Sequence, residues 1–271
     1  MSVQSDLKRI TVSSLKKMKS NGEKIASLTA YDAGFSAVLD AAGVDVILVG
    51  DSLGMVIQGH ETTIPVTVDD MIYHSKAVAS RCQRALLMVD MPFMSYTSLG
   101  QAMDTAAALM REGAAHMVKL EGDARQVDTV SKLSEHGVPV CAHIGLQPQL
   151  VHKLGGYRVQ GRDAKAATAM LKDAHELEPA GADLMLLECV PDILAAEITA
   201  NLNIPVIGIG ASAKCDGQIL VLHDILGITP GRVPRFAHNF LQGRESIPAA
   251  VEAYVASVKN GQFPKQEHLF S

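Results

Sequence analysis

One junction recurs along the chain and limits its fold more than any other feature: a helix-like segment ends in glycine, and a short apolar run follows at once. The junction occurs in AAGVDVILVG, REGAAHMVKL, EHGVPVCAHI and PAGADLMLLE. We expect its glycine to adopt the left-handed conformation just past a helix end, where a side chain would clash. These glycines are Gly43, Gly113, Gly137 and Gly181. The runs that follow are short and continuously apolar, which predicts parallel strands buried on both faces.

Strand and helix patterns alternate along the chain. Strands are predicted at residues 24–32, 44–52, 85–93, 115–122, 138–146, 182–190 and 204–212, and helices at 68–83, 99–112, 164–178 and 191–201. Pro191 suits a first helical turn, where its missing N–H is no loss. Residues 217–224 fit an eighth strand, although GQILVLHDIL also fits a helix. Eight strands alternating with helices favour an α/β fold, a (β/α)₈ barrel of the TIM type, over an open doubly wound sheet.

The two ends of the chain complete this prediction. Residues 246–259 form an amphipathic pattern typical of a closing helix, with one apolar face made by Ile247, Val251, Tyr254, Val255 and Val258. The N-terminal segment predicts a helical arm. No linker or low-complexity segment divides the 271 residues, and barrels of this kind commonly take about 250 residues. We therefore expect a single domain over residues 1–271.

Charge and composition argue against several classes of partner. The net charge is −5 and no basic stripe is present, so nucleic acid is not expected. No apolar run approaches the roughly 18 residues that cross a bilayer, and the N-terminus has no signal-peptide core. The four cysteines show no CxxC spacing, which favours free thiols in a reducing cytoplasm over a disulfide or zinc framework.

Polar residues stand where the predicted strands end. They are Asp32, Asp51 with Ser52, Asp90, Lys119 with Glu121, His143, and Glu188. In a barrel the carboxyl ends of the strands form the active-site mouth, so we expect these side chains to converge there. By strand alternation an apolar residue should lie below each carboxylate: Val49 below Asp51, Met88 below Asp90 and Leu186 below Glu188.

The carboxylates predict a magnesium site. Mg²⁺ takes oxygen ligands, commonly one or two carboxylates, and keeps waters or substrate oxygens around it. Asp51 and Asp90 end consecutive strands and are the predicted ligands, with Glu121 as an outer partner that holds a bound water. No His or Cys pair has zinc-like spacing.

Several candidates also have a structural interpretation. Asp32 could equally be the N-cap of the following helix. Lys119 could be an ion-pair partner of Glu121, and His143 could be a core histidine with satisfied hydrogen bonds. Three methionines, Met88, Met91 and Met94, are expected to be packing residues. GIGASAKCDGQ, at residues 208–218, looks like a phosphate cradle but lacks the spacing of a P-loop or dinucleotide fingerprint.

The motif set resembles one known family. TAYDA, VGDSLGM, VDMPF, VKLEG, HIGLQPQ, LECVP and PVIGIGA with DGQILVLHD resemble, in order, motifs of the ketopantoate hydroxymethyltransferases, over residues 7–263. The resemblance implies the barrel of the phosphoenolpyruvate mutase and isocitrate lyase superfamily. It also implies transfer of a hydroxymethyl group from 5,10-methylenetetrahydrofolate to 3-methyl-2-oxobutanoate through a Mg²⁺-bound enolate, giving 2-dehydropantoate for pantothenate and coenzyme A. A homodecamer of two pentameric rings is implied as well.

The resemblance assigns a role to each matched residue. It implies that Asp51 and Asp90 bind Mg²⁺ and border the substrate, and that Glu121 is the outer metal ligand. Ser52 and His143 are implied as neighbours of the oxo acid, Lys119 as the contact of its carboxylate, and Glu188 as the general base. The chain departs from the family pattern at three positions, Ala142, Gln147 and Ser212. Of these, Ser212 bears on the shape of a loop that would approach the folate.

Two other functions remain as alternatives. A lyase or mutase of the same superfamily would break a C–C or P–C bond, but those lyases resemble one another in a KKCGH loop that this chain lacks. A non-enzymatic barrel would not need the ionisable set at the strand ends. Turnover measured with and without the folate would separate the three.

Overall fold

Eight parallel strands close into a barrel in the computed structural model, which describes residues 8–229, 231 and 233–271. The strands are β1 (Ile25–Thr29), β2 (Val46–Val49), β3 (Leu86–Asp90), β4 (Met117–Glu121), β5 (Val140–Gly145), β6 (Leu184–Glu188), β7 (Val206–Ile209) and β8 (Gly217–Leu220). Each pairs with the next in sequence, and β1 pairs with β8. Every strand lies within a predicted range, so the barrel prediction is confirmed. Residues 1–7, where the predicted domain begins and the family resemblance starts, lie outside the described residues.

Helices surround the barrel. They are α1 (Val12–Ser20), α2 (Ala33–Ala41), α3 (Leu53–Val56), α4 (Val68–Ala79), α5 (Leu99–Arg111), α6 (Val127–Glu135), α7 (Val151–Leu154), α8 (Ala164–Leu177), α9 (Asp192–Asn201), α10 (Leu222–Leu226) and α11 (Ile247–Lys259). Short 3₁₀ turns occupy Ala124–Gln126, Pro148–Leu150 and Gln266–His268. Among the described residues, none of the helices combines the length and apolarity that crossing a membrane requires.

The predicted N-terminal arm is helix α1, which covers the lower end of the barrel. Its Leu15 and Met18 are buried in the cluster formed by the barrel interior. Lys19 anchors the helix by an ion pair of 2.8 Å with Asp216, just before β8. This end of the barrel is filled by apolar side chains, whereas a cavity opens at the opposite, carboxyl end of the strands.

One detail of the predicted strand alternation, the residue below Asp51, differs in the structure. Met88 and Leu186 do lie inside the barrel, but in β2 the interior residue is Leu48, while Val49 packs toward the helices. The strand ends at Val49, and the chain turns there, so Asp51 reaches the mouth from a turn and not from a regular strand position. The alternation could not show this because it assumes an extended chain up to the last residue.

The segment GQILVLHDIL contains both of the structures that it could have formed. Its first four residues are strand β8, and Leu222–Leu226 form helix α10. The seven residues 210–216 return the chain from the end of β7 to the start of β8 and contain no helix. The alternation of strands and helices is therefore interrupted at this one connection within the described chain.

The seam between β1 and β8 closes the barrel. A Cβ atom at Gly217 would collide with the carbonyl oxygen of Ile25, so glycine permits the close approach of the two strands. On the outer side, the hydroxyl of Tyr254 lies 2.8 Å from the carbonyl oxygen of Ser27 and 3.0 Å from that of Gln218. Helix α11 thus contacts both strands of the seam.

Three of the four junction glycines adopt the predicted left-handed conformation. Gly43, Gly137 and Gly181 have φ of 86°, 79° and 110°. The prediction is wrong for Gly113, because the left-handed residue there is Ala114, with φ of 57°. Gly113 is required for space instead: a Cβ at this position would lie 2.6 Å from a carbonyl oxygen in the last turns of α5.

Three smaller predictions also differ from the structure. Met94 is 59% exposed and is therefore not a packing residue, in contrast to the buried Met88 and Met91. Ile247 is 36% exposed at the start of α11, whereas the rest of the predicted apolar face is buried. Pro191 is the N-cap of α9, with a non-helical ψ of 140°, one position before the predicted first turn.

Candidate active site

A cavity of about 670 Å³ opens at the carboxyl ends of the strands. It is lined by seven residues predicted for the site: Asp51, Ser52, Asp90, Lys119, Glu121, His143 and Glu188. Asp32 is not part of this lining. Its carboxylate accepts a hydrogen bond of 2.9 Å from the N–H of Phe35 and caps helix α2, so its structural interpretation is confirmed.

Asp90 is the centre of the charged cluster. Its Oδ1 lies 2.8 Å from the ammonium of Lys119, which projects from the neighbouring strand β4. Its Oδ2 accepts a hydrogen bond of 3.0 Å from the N–H of Asp51. The structural alternative for Lys119 was an ion pair with Glu121. Within the described chain, its ion pair is made with Asp90 instead. Two strands and one turn fix the cluster.

The 3₁₀ turn after β5 supplies a residue that the sequence did not single out. Gln149 is buried, and its side-chain amide donates hydrogen bonds to Asp51 Oδ2 at 2.9 Å and to the carbonyl oxygen of Met91 at 3.0 Å. Its own N–H donates to Glu121 Oε2 at 3.0 Å. Its Oε1 accepts a hydrogen bond of 2.5 Å from the hydroxyl of Tyr96. Gln149 thus fixes two of the site carboxylates at once, and the motif HIGLQPQ was the signal that could have indicated it.

His143 connects the cluster to Glu188. Its Nδ1 lies 3.3 Å from Lys119 Nζ and 3.6 Å from Glu121 Oε1. Its Nε2 lies 3.3 Å from Glu188 Oε2, at ion-pair distance but off the direction of a hydrogen bond. Burial and Lys119 disfavour the charged imidazolium, but Glu121 and Glu188 outweigh them and raise the pKa of His143. His143 is buried, yet its neighbours are site residues and not a structural network.

Ser52 stands at the edge of the cluster. It follows Asp51 in the turn after β2, and its hydroxyl lies 2.8 Å from that of Tyr31. Gly50 makes this turn possible, because a Cβ there would lie 2.8 Å from the oxygen of Ser52 and 3.4 Å from Asp90 Oδ2.

The cluster concentrates negative charge in a buried place. Burial, followed by the charges of Asp90 and Glu121, raises the pKa of Asp51 well above its ordinary value. Burial also raises the pKa of Asp90, against the opposing effect of Lys119. Burial favours the neutral amine of Lys119, but the carboxylates of Asp90 and Glu121 raise its pKa and keep it charged. One ammonium faces three carboxylates, so an additional cation would stabilise the cluster.

These ligands fit Mg²⁺ in their chemistry. Asp51 and Asp90 both offer carboxylate oxygens to the cavity, and Asp90 Oδ1 is buried and accepts no well-directed hydrogen bond within the described chain. Among the described residues, no group of three His, Cys, Asp or Glu side chains is arranged so that it could hold a metal ion by itself. A site with two carboxylates suits an ion that completes its shell with water and substrate oxygens.

The glycine-rich segment 208–218 is closely packed by side chains of the protein. The space beside Gly208 is filled by the thiol of Cys215, and that beside Gly210 by Phe236 and Phe270. Ser212 donates a hydrogen bond of 2.5 Å to Asp192 at the start of α9. Side chains of the protein therefore fill the space beside both glycines.

Comparison with known proteins assigns the chain to a family. The profile of the ketopantoate hydroxymethyltransferases matches residues 9–266. The chain belongs to this family. It is 60% identical over 261 residues to the 3-methyl-2-oxobutanoate hydroxymethyltransferase of Alkalilimnicola ehrlichii, covering 96% of this chain and 94% of the relative. The protein of the same name from Marinobacter nauticus is 59% identical, with 96% and 98% covered. The prediction of a hydroxymethyltransferase is confirmed.

Solved structures support the fold of this ketopantoate hydroxymethyltransferase family member. Phosphonopyruvate hydrolase in complex with oxalate and Mg²⁺ aligns with a TM-score of 0.60 at 13% identity, over 80% of this chain and 82% of that one. The 2,3-dimethylmalate lyase of the phosphoenolpyruvate mutase and isocitrate lyase superfamily gives 0.57 at 15%, over 77% of each chain. These likenesses show that the chain shares the barrel fold of these proteins. All four cysteines are free and buried.

Proposed function

We propose that the chain transfers a hydroxymethyl group from 5,10-methylenetetrahydrofolate to 3-methyl-2-oxobutanoate and yields 2-dehydropantoate for pantothenate and coenzyme A, as one catalytic domain over residues 1–271. The relatives at 59–60% identity carry the name of this oxo acid. The observation that carries the proposal is the meeting of paired carboxylates, one ammonium and the separate carboxylate of Glu188 in a single cavity. Such a set suits removal of a proton next to a keto group, followed by C–C bond formation.

The paired carboxylates are the proposed metal ligands. Asp51 and Asp90 would hold Mg²⁺, with Glu121 as the outer partner and Ser52 beside the oxo acid. Bound there, Mg²⁺ supplies a Lewis acid that stabilises negative charge on the keto oxygen of the substrate. Gln149 keeps Asp51 and Glu121 in place through hydrogen bonds of 2.9 and 3.0 Å.

Lys119 is the proposed contact of the substrate carboxylate. Its ammonium is a compact charge with three donors, and it lines the cavity while paired with Asp90. A carboxylate in the cavity would therefore meet a cation that is already fixed in position. This orients the oxo acid with its carboxylate toward β3 and β4 and its C3 toward the opposite side of the mouth.

Glu188 is the proposed general base that removes the C3 proton. Its side chain is 14% exposed at the end of β6, and it is the carboxylate on the far side of His143 from Lys119. His143 Nε2 lies 3.3 Å from Glu188 Oε2 and so borders the proposed base on the side of the charged cluster. A positioned base of this kind contributes about 10²–10⁴-fold in rate.

The proposal is tested by a transfer assay on the full-length chain, with the product identified by mass spectrometry. We expect 2-dehydropantoate only when both substrates and Mg²⁺ are present, loss of the product in excess chelator, and its return when Mg²⁺ is added back. Full activity in excess chelator would contradict the role of the metal. Cleavage of an oxo acid without the folate, in place of transfer, would favour a superfamily lyase.

A further inference from the structure

The cavity has two chemically different sides. The side formed by β2, β3 and β4 carries the charged cluster described above. The side formed by β6, β7 and β8 and by the end of the chain is mostly apolar, with lining residues Cys189, Ile209, Leu220, Phe236 and Phe270. Asp224 and Thr229 are polar residues of this lining, and the hydroxyl of Thr229 donates a hydrogen bond to the carboxylate of Asp224. An oxo acid bound by the charged cluster would fill the first side and leave the apolar side for a second molecule.

Phe236 and Phe270 form the apolar wall of this second side. Phe236 follows α10 and Phe270 is the second-last residue of the chain. They are 34 positions apart but meet above Gly210. A Cβ on Gly210 would lie 2.7 Å from Phe236 and 3.0 Å from Phe270, so glycine admits both rings. The carbonyl oxygen of Phe270 accepts a hydrogen bond of 2.9 Å from the N–H of Asp192, which fixes the chain end against α9.

Arg235 adds a cation to the edge of the wall. Its guanidinium carbon lies 5.6 Å from the centre of the Phe270 ring. Its Nε donates a hydrogen bond of 2.9 Å to the carbonyl oxygen of Glu267, also in the C-terminal segment. The side chain is exposed and lines the cavity, so a negative group entering from solvent would meet it. The wall is therefore apolar within and positively charged at its outer edge.

Glu188 lies at the boundary of the two sides. It is paired in register with Ile209 of the apolar side, and its carboxylate is 3.3 Å from His143 of the charged side. Two molecules that form a C–C bond must bring the reacting carbons to about 3–3.5 Å. A carbon that loses its proton to Glu188 would lie at this boundary, within reach of a molecule bound on the apolar side.

We propose that the wall of Phe236, Phe270 and Arg235 binds the one-carbon donor, with its flat ring system against the two phenyl rings and its glutamate carboxylates toward Arg235. This inference rests on the proposed function and assigns the donor subsite to the C-terminal end of the chain. Aromatic and apolar side chains fit a flat heterocycle, and a guanidinium fits a carboxylate through its paired N–H donors.

The test compares donor binding with proton removal. Phe270→Ala should weaken the affinity of the full-length enzyme for tetrahydrofolate about tenfold, measured by calorimetry with Mg²⁺ and the oxo acid present. Arg235→Gln, at an exposed position, should also weaken this affinity, and more strongly for a triglutamate form than for the monoglutamate. Neither change should alter, by more than about twofold, the donor-free exchange of the C3 proton of 3-methyl-2-oxobutanoate for deuterium. Tyr73→Ala is the control, an exposed aromatic on α4 that does not line the cavity.

Each outcome decides the inference. Unchanged affinity for tetrahydrofolate in folded Phe270→Ala would overturn it, and so would a parallel loss of proton exchange, because the wall would then serve the oxo-acid side. If Phe270→Ala does not fold, Arg235→Gln decides in the same way. A wild-type enzyme that binds tetrahydrofolate but transfers no hydroxymethyl group overturns the proposed function alone, and the variants still test the subsite.

Discussion

Glu188 and Gln149 carry the predictions that concern single residues. Glu188→Gln keeps the size of the side chain and most of its hydrogen bonding but removes its basicity. We expect exchange of the C3 proton of 3-methyl-2-oxobutanoate in heavy water, with Mg²⁺ and no folate, to fall by about 10²-fold or more. Affinity for the oxo acid should change much less, because Lys119 and the metal site are untouched.

Proton NMR of the methine signal and calorimetry of oxo-acid binding measure the two effects of Glu188→Gln separately. Exchange at the wild-type rate would show that another group is the base, and His143 would be the next candidate. If the wild type itself shows no exchange without folate, proton removal depends on the second substrate, and the order of steps proposed here is wrong.

Gln149 is predicted to act through the carboxylates that it holds. Gln149→Ala removes the amide donor to Asp51 and the acceptor for Tyr96, both in a buried place. Loss of such an outer partner commonly weakens metal binding by about 10–100-fold, and buried groups left without a partner cost about 1–3 kcal/mol in stability. Titration with Mg²⁺ by calorimetry measures the first effect, and urea unfolding the second.

The matched control for Gln149 is Gln147→Ala. Gln147 stands two positions earlier and, within the described chain, its side chain is not among the hydrogen-bond partners of Asp51 or Glu121. Its replacement should leave the affinity for Mg²⁺ within about twofold. Equal affinities for Mg²⁺ in the wild type and in Gln149→Ala would show that the hydrogen bonds to the carboxylates do not position the metal site.

The seam between β1 and β8 is tested at the scale of whole elements. Gly217→Ala places a methyl group against the carbonyl oxygen of Ile25, and backbone on both sides must move. We expect a loss of about 1–3 kcal/mol in the free energy of unfolding, as for an overpacked core. Urea unfolding followed by circular dichroism gives this value.

Gly100 offers a control for the substitution itself. It lies in helix α5, and a Cβ there has no neighbour within 4 Å. Gly100→Ala should leave stability unchanged or raise it by about 0.5–1 kcal/mol, because alanine has less conformational freedom to lose in a helix. A Gly217→Ala variant as stable as Gly100→Ala would mean that the seam can open without cost.

The thiols give a prediction for the whole molecule. All four cysteines are buried, and burial raises the pKa of Cys82 and of Cys215 to about 11. A raised pKa lowers the fraction of the thiol that is ionised at a given pH. At pH 8, about one in a thousand thiols with a pKa of about 11 is ionised, whereas roughly one in four is ionised for a free cysteine with a pKa of about 8.5. Reactivity should therefore be very low in the folded enzyme.

A disulfide exchange reagent with a coloured product measures this reactivity. At pH 8 we expect almost no thiol to react within minutes in the folded enzyme and all four to react in guanidinium chloride. Fast reaction of even one thiol in the folded enzyme would show that the barrel or its surrounding helices open locally at that cysteine.

The order of strands and helices and the polar residues at the strand ends could be read from the amino-acid sequence alone. These signals are local: a short apolar run, a glycine after a helix and an ionisable residue after a strand are all encoded within about ten positions. The motifs indicated the family to which the chain belongs. Local signals also explain the errors, because they did not show that the left-handed turn falls on Ala114 and not on Gly113, or that Asp51 leaves the strand through a turn.

Which side chains meet depends on the folded barrel and could not be read from the sequence. Gln149 donates to Asp51 across 98 positions, and Lys119 is paired with Asp90 although Glu121 is nearer in sequence. Phe270 reaches the cavity from the end of the chain. Such contacts depend on the closure of the barrel and on the path of the loops, which bring distant residues together after the elements have formed. No pattern within a single element encodes them, and they are what gives this cavity its charged side and its apolar side.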